Sequence, residues 1–361
     1  MFVLGLALLI LGAELLVRGS SRVAIVLRIS PLVVGLTVVA YGTSAAELAV
    51  CMRSVFTGQS ALALGTVVGS NIFNVLFVLG ISALIRPLSV HRRLIRVDVP
   101  LMIAASVLCY ILAVGGMLTR WQGILLFLGA VGYTTYIVLG ARQERSQSWD
   151  VTETADQETT MQRRMPRQII VECALILIGL TMLAVGARYL VSGAIAVAKA
   201  AGISELVIGL TIVAAATSLP EAAASIAATI RRKREIAVGN VVGSNICNIL
   251  LVLGITAILA PSGIEVAPST LRFDMPVMIV VAISCLPVFF SGNQIARWEG
   301  ALFVSYYILF VLYLVMQAGH YEALPRFNAV MLLFVIPLTA ITLIVLSVRT
   351  FRANRRSSLA G

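Results

Sequence analysis

The sequence predicts an all-α polytopic membrane protein: two inverted five-helix repeats with broken helices at the centre, plus one extra C-terminal transmembrane helix. Three observations carry this expectation. Of the 361 residues, 60% are hydrophobic and only 12% are charged, too little polar surface for a water-soluble domain. Apolar stretches of about 20 residues, the length that crosses a ~30 Å hydrocarbon core, recur along the chain. A set of motifs in the first half also returns in the second half at a constant offset.

Eleven crossing segments follow from the apolar stretches, at 1–17 (running on toward 28), 31–52, 61–85, 97–118, 121–140, 169–190, 205–230, 236–260, 273–291, 297–316 and 328–348. Residues 1–140 then form the first transmembrane repeat and 141–168 a cytoplasmic loop. Residues 169–316 form the second, inverted repeat, and 317–361 the extra helix with a basic cytoplasmic tail. Met1–Val17 lacks a basic leading region and a small-residue cleavage site, so it reads as a retained first helix. The interval Ala141–Gln168 carries Glu144, Asp150, Glu153, Asp156 and Glu158 and reads as the polar connection between the halves. The cysteines (Cys51, Cys109, Cys173, Cys247, Cys285) sit inside apolar segments with no CxxC spacing. They read as small buried apolar side chains, not as a disulfide framework or a thiolate metal site.

A net charge of +11 could suggest nucleic acid, but the basic residues are scattered among short loops. With the N-terminus outside, 21 Lys and Arg fall on the cytoplasmic side and 6 outside. The positive-inside rule favours that orientation and accounts for the charge without a nucleic-acid partner. The expected location is the cell inner (plasma) membrane, multi-pass, with the C-terminus cytoplasmic.

The repeat is specific. Gly35-Leu-Thr-Val-Val-Ala-Tyr-Gly-Thr-Ser-Ala-Ala-Glu47 returns as Gly209-Leu-Thr-Ile-Val-Ala-Ala-Ala-Thr-Ser-Leu-Pro-Glu221. Gly65-Thr-Val-Val-Gly-Ser-Asn-Ile-Phe-Asn74 returns as Gly239-Asn-Val-Val-Gly-Ser-Asn-Ile-Cys-Asn248, both at an offset of 174. Gly12-Ala13 and Leu16-Val17 align with Gly186-Ala187 and Leu190-Val191 at the same offset. Five helices, an odd number, separate equivalent positions, so the second copy enters the membrane upside down. Inverted repeats with interrupted helices and a midplane site are a recurrent transporter architecture, although architecture alone is analogy and function must come from the site.

Glu47 and Glu221 are the acidic residues placed mid-helix at equivalent positions. An ionised acid at that depth costs roughly 2.5–3.5 kcal/mol on insertion scales, so it needs an interior setting and a partner. A buried basic partner or a protonated structural role would also satisfy them, but no Lys or Arg sits at comparable depth in these helices. Glu14 has Arg188 as its counterpart, and the opposite charge points to a structural role. Thr43-Ser44 and Thr217-Ser218 precede the two Glu. Beside Gly42 and Pro220 they suggest a broken turn whose carbonyls and helix ends can face a cation. Ca2+ takes six to eight hard oxygens; two Glu cancel its charge, and Asn74 and Asn248 add amide oxygens, with Ser70 and Ser244 one turn earlier on the same face. Singly, Ser and Asn in a membrane helix are more often interhelical hydrogen-bond partners; their duplication beside the Glu motif favours ligands. The GxxxG pairs Gly65–Gly69 and Gly239–Gly243 are accounted for by close helix packing.

At these residues the chain resembles the calcium/cation antiporter superfamily, specifically its bacterial-type sodium/calcium exchanger family, across both repeats. The resemblance implies a ten-helix core with central sites that hold Na+ and Ca2+ in alternation. Carried over by position, Glu47, Glu221, Thr43 and Thr217 (the last two through their carbonyls) look like Ca2+ ligands. Ala40, Ser44, Ser70, Asn74, Ala214, Ser218, Ser244 and Asn248 look like Na+ or shared contributors. Four positions depart from the family pattern: Ala46 for Pro, Thr66 for Asn, Ala216 for Gly, and Asn248 where many relatives have Asp. The first bears on the shape of the first helix break. The amide at 248 implies that K+ is not required, because K+-dependent relatives carry an acid there.

The expectation is thus a secondary antiporter exchanging Ca2+ against Na+ by alternating access, with no cofactor and with the ions and the lipid bilayer as partners. An H+/Ca2+ (or other divalent cation) antiporter and a passive cation channel remain as alternatives. An intramembrane enzyme fails on inventory. The histidines, His91 and His320, fall in loops, so no Ser–His pair forms within the membrane. Asp98 and Asp274 begin helices near opposite interfaces and do not suggest an aspartyl dyad.

Overall fold

The computed structural model describes the chain except residues 28, 148–154, 203–207, 209–210, 213, 291–292, 320, 322, 332–336 and 338–361; for 142–147, 155–167, 214 and 326–327 it describes the backbone alone. The helices, numbered here in chain order, are α1 (Phe2–Leu27), α2 (Pro31–Phe56), α3 (Ser60–Ile85), α4 (Leu94–Ala113), α5 (Arg120–Gln147), α6 (Ala155–Ala200), α7 (Leu219–Ile230), α8 (Arg234–Leu259), α9 (Thr270–Phe290), α10 (Arg297–Ala318) and α11 (Leu324–Val330). Nine segments among the described residues are long and apolar enough to cross a membrane, with α7 a shorter apolar helix. The chain is an all-helical polytopic membrane protein.

The first helix runs on to Leu27, in line with the expected extension toward 28. Two expectations shift: α6 reaches from Ala155 to Ala200, well before 169 and beyond 190, and the polar interval changes. The described residues of the interval 141–168 are helical, since α5 continues to Gln147 and α6 starts at Ala155. Good helix formers such as Gln, Glu and Arg extend both helices past their apolar spans at little cost. The segment predicted at 205–230 and the one at 328–348 lie partly or mostly outside the described residues, apart from Ala214–Ala216 and α7 in the first and Leu324–Val330 in the second.

The helical bundle also carries two antiparallel pairs of two residues each. Here β1 (Leu88–Ser89) pairs with β4 (Gln294–Ile295), and β2 (Met117–Leu118) pairs with β3 (Ile264–Glu265). Each pair ties the end of a helix in one half to the other half. Strands this short leave no apolar period to read in sequence.

Close contacts recur in reciprocal pairs at about the repeat offset. A Cβ on Gly12 would lie 2.8 Å from Gly179 O, and a Cβ on Gly179 would lie 2.8 Å from Gly12 O. Gly5 meets Gly186 and Leu190, while Gly19 meets Glu172 and Ile176. As α1 advances, its partners on α6 recede, so the two helices cross antiparallel through glycines spaced by seven. Gly80 meets Gly300, and Gly123 meets Gly254. Where lipid supplies no hydrophobic drive, such small-residue crossings let backbones approach and pack. Gly239 and Gly243 press against Leu32, Leu36 and Ala40 of α2, as close packing requires. The corresponding partner positions for Gly65 and Gly69, 206, 210 and 214, are not described in side-chain detail.

Two apolar cores result. One is built mainly from α3, α4, α8 and α9, flanked by α5 and α10. The other joins α1 and α6 to α7 and the start of α8. The site lies where α2, α3, α7 and α8 meet between them.

A candidate cation site between two broken helices

Helix α2 is interrupted by a turn at Ser44, and its second half, Ala45–Phe56, carries Glu47 in its first turn. On the other side, the short helical piece Ala214–Ala216 gives way to a turn at Thr217 and Ser218 before α7, which begins with Leu219-Pro220 and has Glu221 in its first turn. Proline is suited to a first helical turn because the N–H it lacks would be unsatisfied there anyway. The first repeat, with Ala46 in place of proline, still breaks. Each Glu therefore sits at the N-terminal end of a half-helix, where free N–H groups and the helix dipole favour negative charge.

Both Glu side chains are fully buried, at 0% exposure. Ser218 donates to Glu47 Oε1 at 3.1 Å, Ser70 donates to the same oxygen at 3.5 Å, and Ser70 Oγ lies 3.3 Å from Thr217 Oγ1. Residues from α2, α3 and the break before α7 thus converge on one carboxyl. Glu221 lies beside Thr43 and Glu47, and among the described residues no partner meets its oxygens in strict hydrogen-bonding geometry. Thr43 Oγ1 turns toward the carbonyls of Val39 at 3.1 Å and Ala40 at 3.3 Å and toward Asn240 Oδ1 at 3.4 Å. Ala40 O also accepts from Ser44 N at 3.0 Å. For Ala214 only the backbone is described, within its short helical piece.

Asparagines complete the centre. Asn71 Nδ2 donates to Asn245 O at 3.2 Å, and Asn245 Nδ2 donates to Asn71 O at 3.3 Å. Asn74 Nδ2 donates to Asn245 Oδ1 at 3.1 Å, and Asn248 Nδ2 donates to Asn71 Oδ1 at 3.2 Å. Asn74 and Asn248 each open a widened helical turn, Asn74–Leu79 and Asn248–Val252. Such π-type turns are frequent at functional sites.

Buried polar atoms almost always find partners. Here Glu47 Oε2, both oxygens of Glu221, Asn74 Oδ1, Asn248 Oδ1, Ser44 Oγ and Ser244 Oγ are buried without one among the described residues. Among the described residues no ion pair involves Glu47 or Glu221; Glu14 pairs with Arg18 and Arg231, and Glu172 pairs with Arg22. Nor does any group of three or more His, Cys, Asp and Glu suited to a metal occur among them. Two buried carboxyls with hydroxyls beside one of them, and unpartnered amide oxygens on α3 and α8, supply a hard donor set, suited to Ca2+ and other hard cations and not to thiophilic metals.

Sequence reasoning missed Asn71, Asn245 and Asn240. Asn240 donates to Glu221 O at 3.2 Å and to Ser225 Oγ at 2.8 Å, while its counterpart Thr66 bonds back to Leu62 O at 2.8 Å. Asn71 and Asn245 carried a usable signal, duplication inside both Gly-Ser-Asn-Ile motifs.

A polytopic helical bundle with buried carboxyls among neutral oxygens belongs to the class of membrane ion antiporters. The chain is a member of the sodium/calcium exchanger family: the family described as "Sodium/calcium exchanger protein" matches residues 1–139 and 171–316. It is 36% identical over 314 residues to the inner membrane protein YrbG of Escherichia coli K12, covering 86% of this chain and 94% of that one. It is 30% identical over 346 residues to the sodium/calcium exchanger MaX1 of Methanosarcina acetivorans, covering 86% and 96%. A solved structure of the sodium-calcium exchanger NCX_Mj superimposes with a TM-score of 0.72 at 30% identity, covering 85% of this chain and 95% of that one.

Proposed function

We propose that this protein exchanges Ca2+ against Na+ by alternating access, with inverted five-helix repeats rocking around the central site in the inner (plasma) membrane. The observation that carries the reading is the ring of buried, unpartnered oxygens on Glu47, Glu221, Asn74 and Asn248 with no basic side chain paired to either carboxyl among the described residues. Two ionised carboxyls balance one Ca2+. In this reading Glu47, Glu221 and the carbonyls of Thr43 and Thr217 hold Ca2+. Ala40, Ser44, Ser70, Asn74, Ala214, Ser218, Ser244 and Asn248 hold Na+ or serve both ions. Relatives named as sodium/calcium exchangers support the pairing of ions, and the inner-membrane relative supports the location.

Proton coupling is a coherent second reading, because two protons on Glu47 and Glu221 could replace one Ca2+. The convergence of Ser70 and Ser218 on Glu47 favours Na+: hydroxyls beside a carboxylate suit a small monovalent ion and would be superfluous to a two-proton exchanger. If more than two Na+ move per Ca2+, the cycle carries net charge, and the membrane potential contributes about 2.3 kcal/mol per charge per 100 mV. The test loads vesicles with Na+ at equal pH on both faces, without K+, and dilutes them into Na+-free buffer containing Ca2+. Uptake is expected to be rapid and to persist with a protonophore once the potential is clamped. Uptake that needs a pH gradient and ignores Na+ replaces this reading with the proton antiporter.

A further inference from the structure

We infer that Asn71 and Asn245 are positioning residues that aim the amide oxygens of Asn74 and Asn248 at the transported cation. This rests on the central-site reading above. An asparagine amide can face either way, and a cation needs its oxygen, not its N–H. The network removes that freedom from fixed points. A backbone carbonyl can only accept, so Asn245 must turn its Nδ2 to Asn71 O at 3.3 Å. Its Oδ1 is then the acceptor that remains, and Asn74 meets it with Nδ2 at 3.1 Å. The oxygen of Asn74 is left buried and, among the described residues, without a partner. The same chain runs in the other half: Asn71 Nδ2 goes to Asn245 O at 3.2 Å, Asn71 Oδ1 receives Asn248 Nδ2 at 3.2 Å, and Asn248 Oδ1 is left buried with no partner among the described residues. Met278 Sδ at 3.7 Å and Met102 Sδ at 3.5 Å lie beside Nδ2 of Asn71 and Asn245 respectively as weak acceptors, which further disfavours a flip.

All four side chains are at most 2% exposed, so water cannot take over any of these bonds. Each half also orients the reader of its own repeat through a residue of the other: Asn74 is held by Asn245, and Asn248 by Asn71. The two amide oxygens stay aimed only while α3 and α8 remain docked.

The test uses the full-length protein in detergent, with Ca2+ affinity read from the Ca2+-dependent rise in Tm. Asn71→Ala and Asn245→Ala are each expected to weaken Ca2+ about 10–100-fold, the usual cost of losing an outer partner that orients a metal ligand. The Asn74→Ala/Asn245→Ala double variant is expected to lose no more than Asn74→Ala alone, because both changes remove the same oriented oxygen. Asn248→Ala with Asn71→Ala repeats the cycle in the other half. Unchanged Ca2+ affinity in the Asn245 and Asn71 variants, or losses that simply add, would overturn the inference. So would failure of both single variants to fold, since a residue needed only to aim an amide leaves the bundle standing. Should Asn74→Ala bind Ca2+ normally while Glu47→Gln does not, this inference falls and the two-Glu site stands. Normal Ca2+ binding by Glu47→Gln instead removes the site itself.

Discussion

The two central carboxyls are equivalent in sequence but not in surroundings. Glu47 receives Ser70 and Ser218, whereas among the described residues none meets the Glu221 carboxyl in the same geometry, and its backbone carbonyl is held by Asn240. The backbone part of the difference follows from one position: Asn240 reaches across to the carbonyl of Glu221, whereas its counterpart Thr66 bonds within its own turn. In the proposed exchange, replacing either Glu by Gln removes half of the charge that would balance Ca2+ in a low-dielectric setting, where solvent compensates poorly. Glu47→Gln and Glu221→Gln are each expected to weaken Ca2+ binding by about 2–5 kcal/mol, the scale for truncating one member of a buried charge set, and so to abolish uptake while the protein still inserts. Ca2+ uptake by vesicles together with a membrane-fraction immunoblot checks both halves of that statement. Substantial flux in either variant would place the site elsewhere.

At the scale of elements, α1 and α6 stand apart because their contact surface is glycine. Gly5, Gly12 and Gly19 recur every seven residues, as do Gly179, Gly186 and Gly193, and every one of these positions meets the opposing helix closely enough that a Cβ would fall within 3.0 Å of it. A stripe of this kind sets the interaxial distance, with Leu9, Leu16, Ile176 and Leu183 packed beside it. Gly12→Val places a branched side chain against the backbone of Gly179 and Leu183 and is expected to cost at least about 1–3 kcal/mol, the range for overpacking a filled interior. Thermal unfolding of the detergent-purified variant measures it. A Tm equal to that of the parent protein would mean that the two helices do not meet in this register. The ion pair of Arg22 with Glu172 at 3.1 Å ties the same two helices beyond the glycines.

For the whole molecule, the charge distribution of 21 Lys and Arg against 6 leads to the expectation of an outside N-terminus and a cytoplasmic C-terminus. Reporter fusions at the tail and within 141–168 are expected to signal cytoplasm in both cases. A periplasmic signal from either would reverse or break the proposed topology. The reciprocal contacts support the same two-fold logic from inside the bundle. Leu88 pairs with Ile295 and Leu118 pairs with Ile264, Cys51 bonds Ala63 O at 3.5 Å, and its counterpart Ser225 bonds Ala237 O at 3.5 Å.

Sequence alone determined the membrane class, most helix positions, the duplication and the two Glu. These are legible because a bilayer makes each spanning segment satisfy its own backbone, so apolar length and a charge out of place carry their meaning locally. Helix ends beyond the bilayer, as in the interval 141–168, lack that constraint and were read as loop. Only the tertiary structure decided which polar groups meet: that Asn240 holds the carbonyl of Glu221, that Asn71 and Asn245 cross over to the opposite repeat, and that glycines seven apart on α1 face glycines seven apart on α6. A side chain's partner across the bundle is set by the distance and rotation between helices far apart in sequence. No local pattern of residues encodes that relation, even where, as with the duplicated Gly-Ser-Asn-Ile motif, the residues themselves stand in plain view.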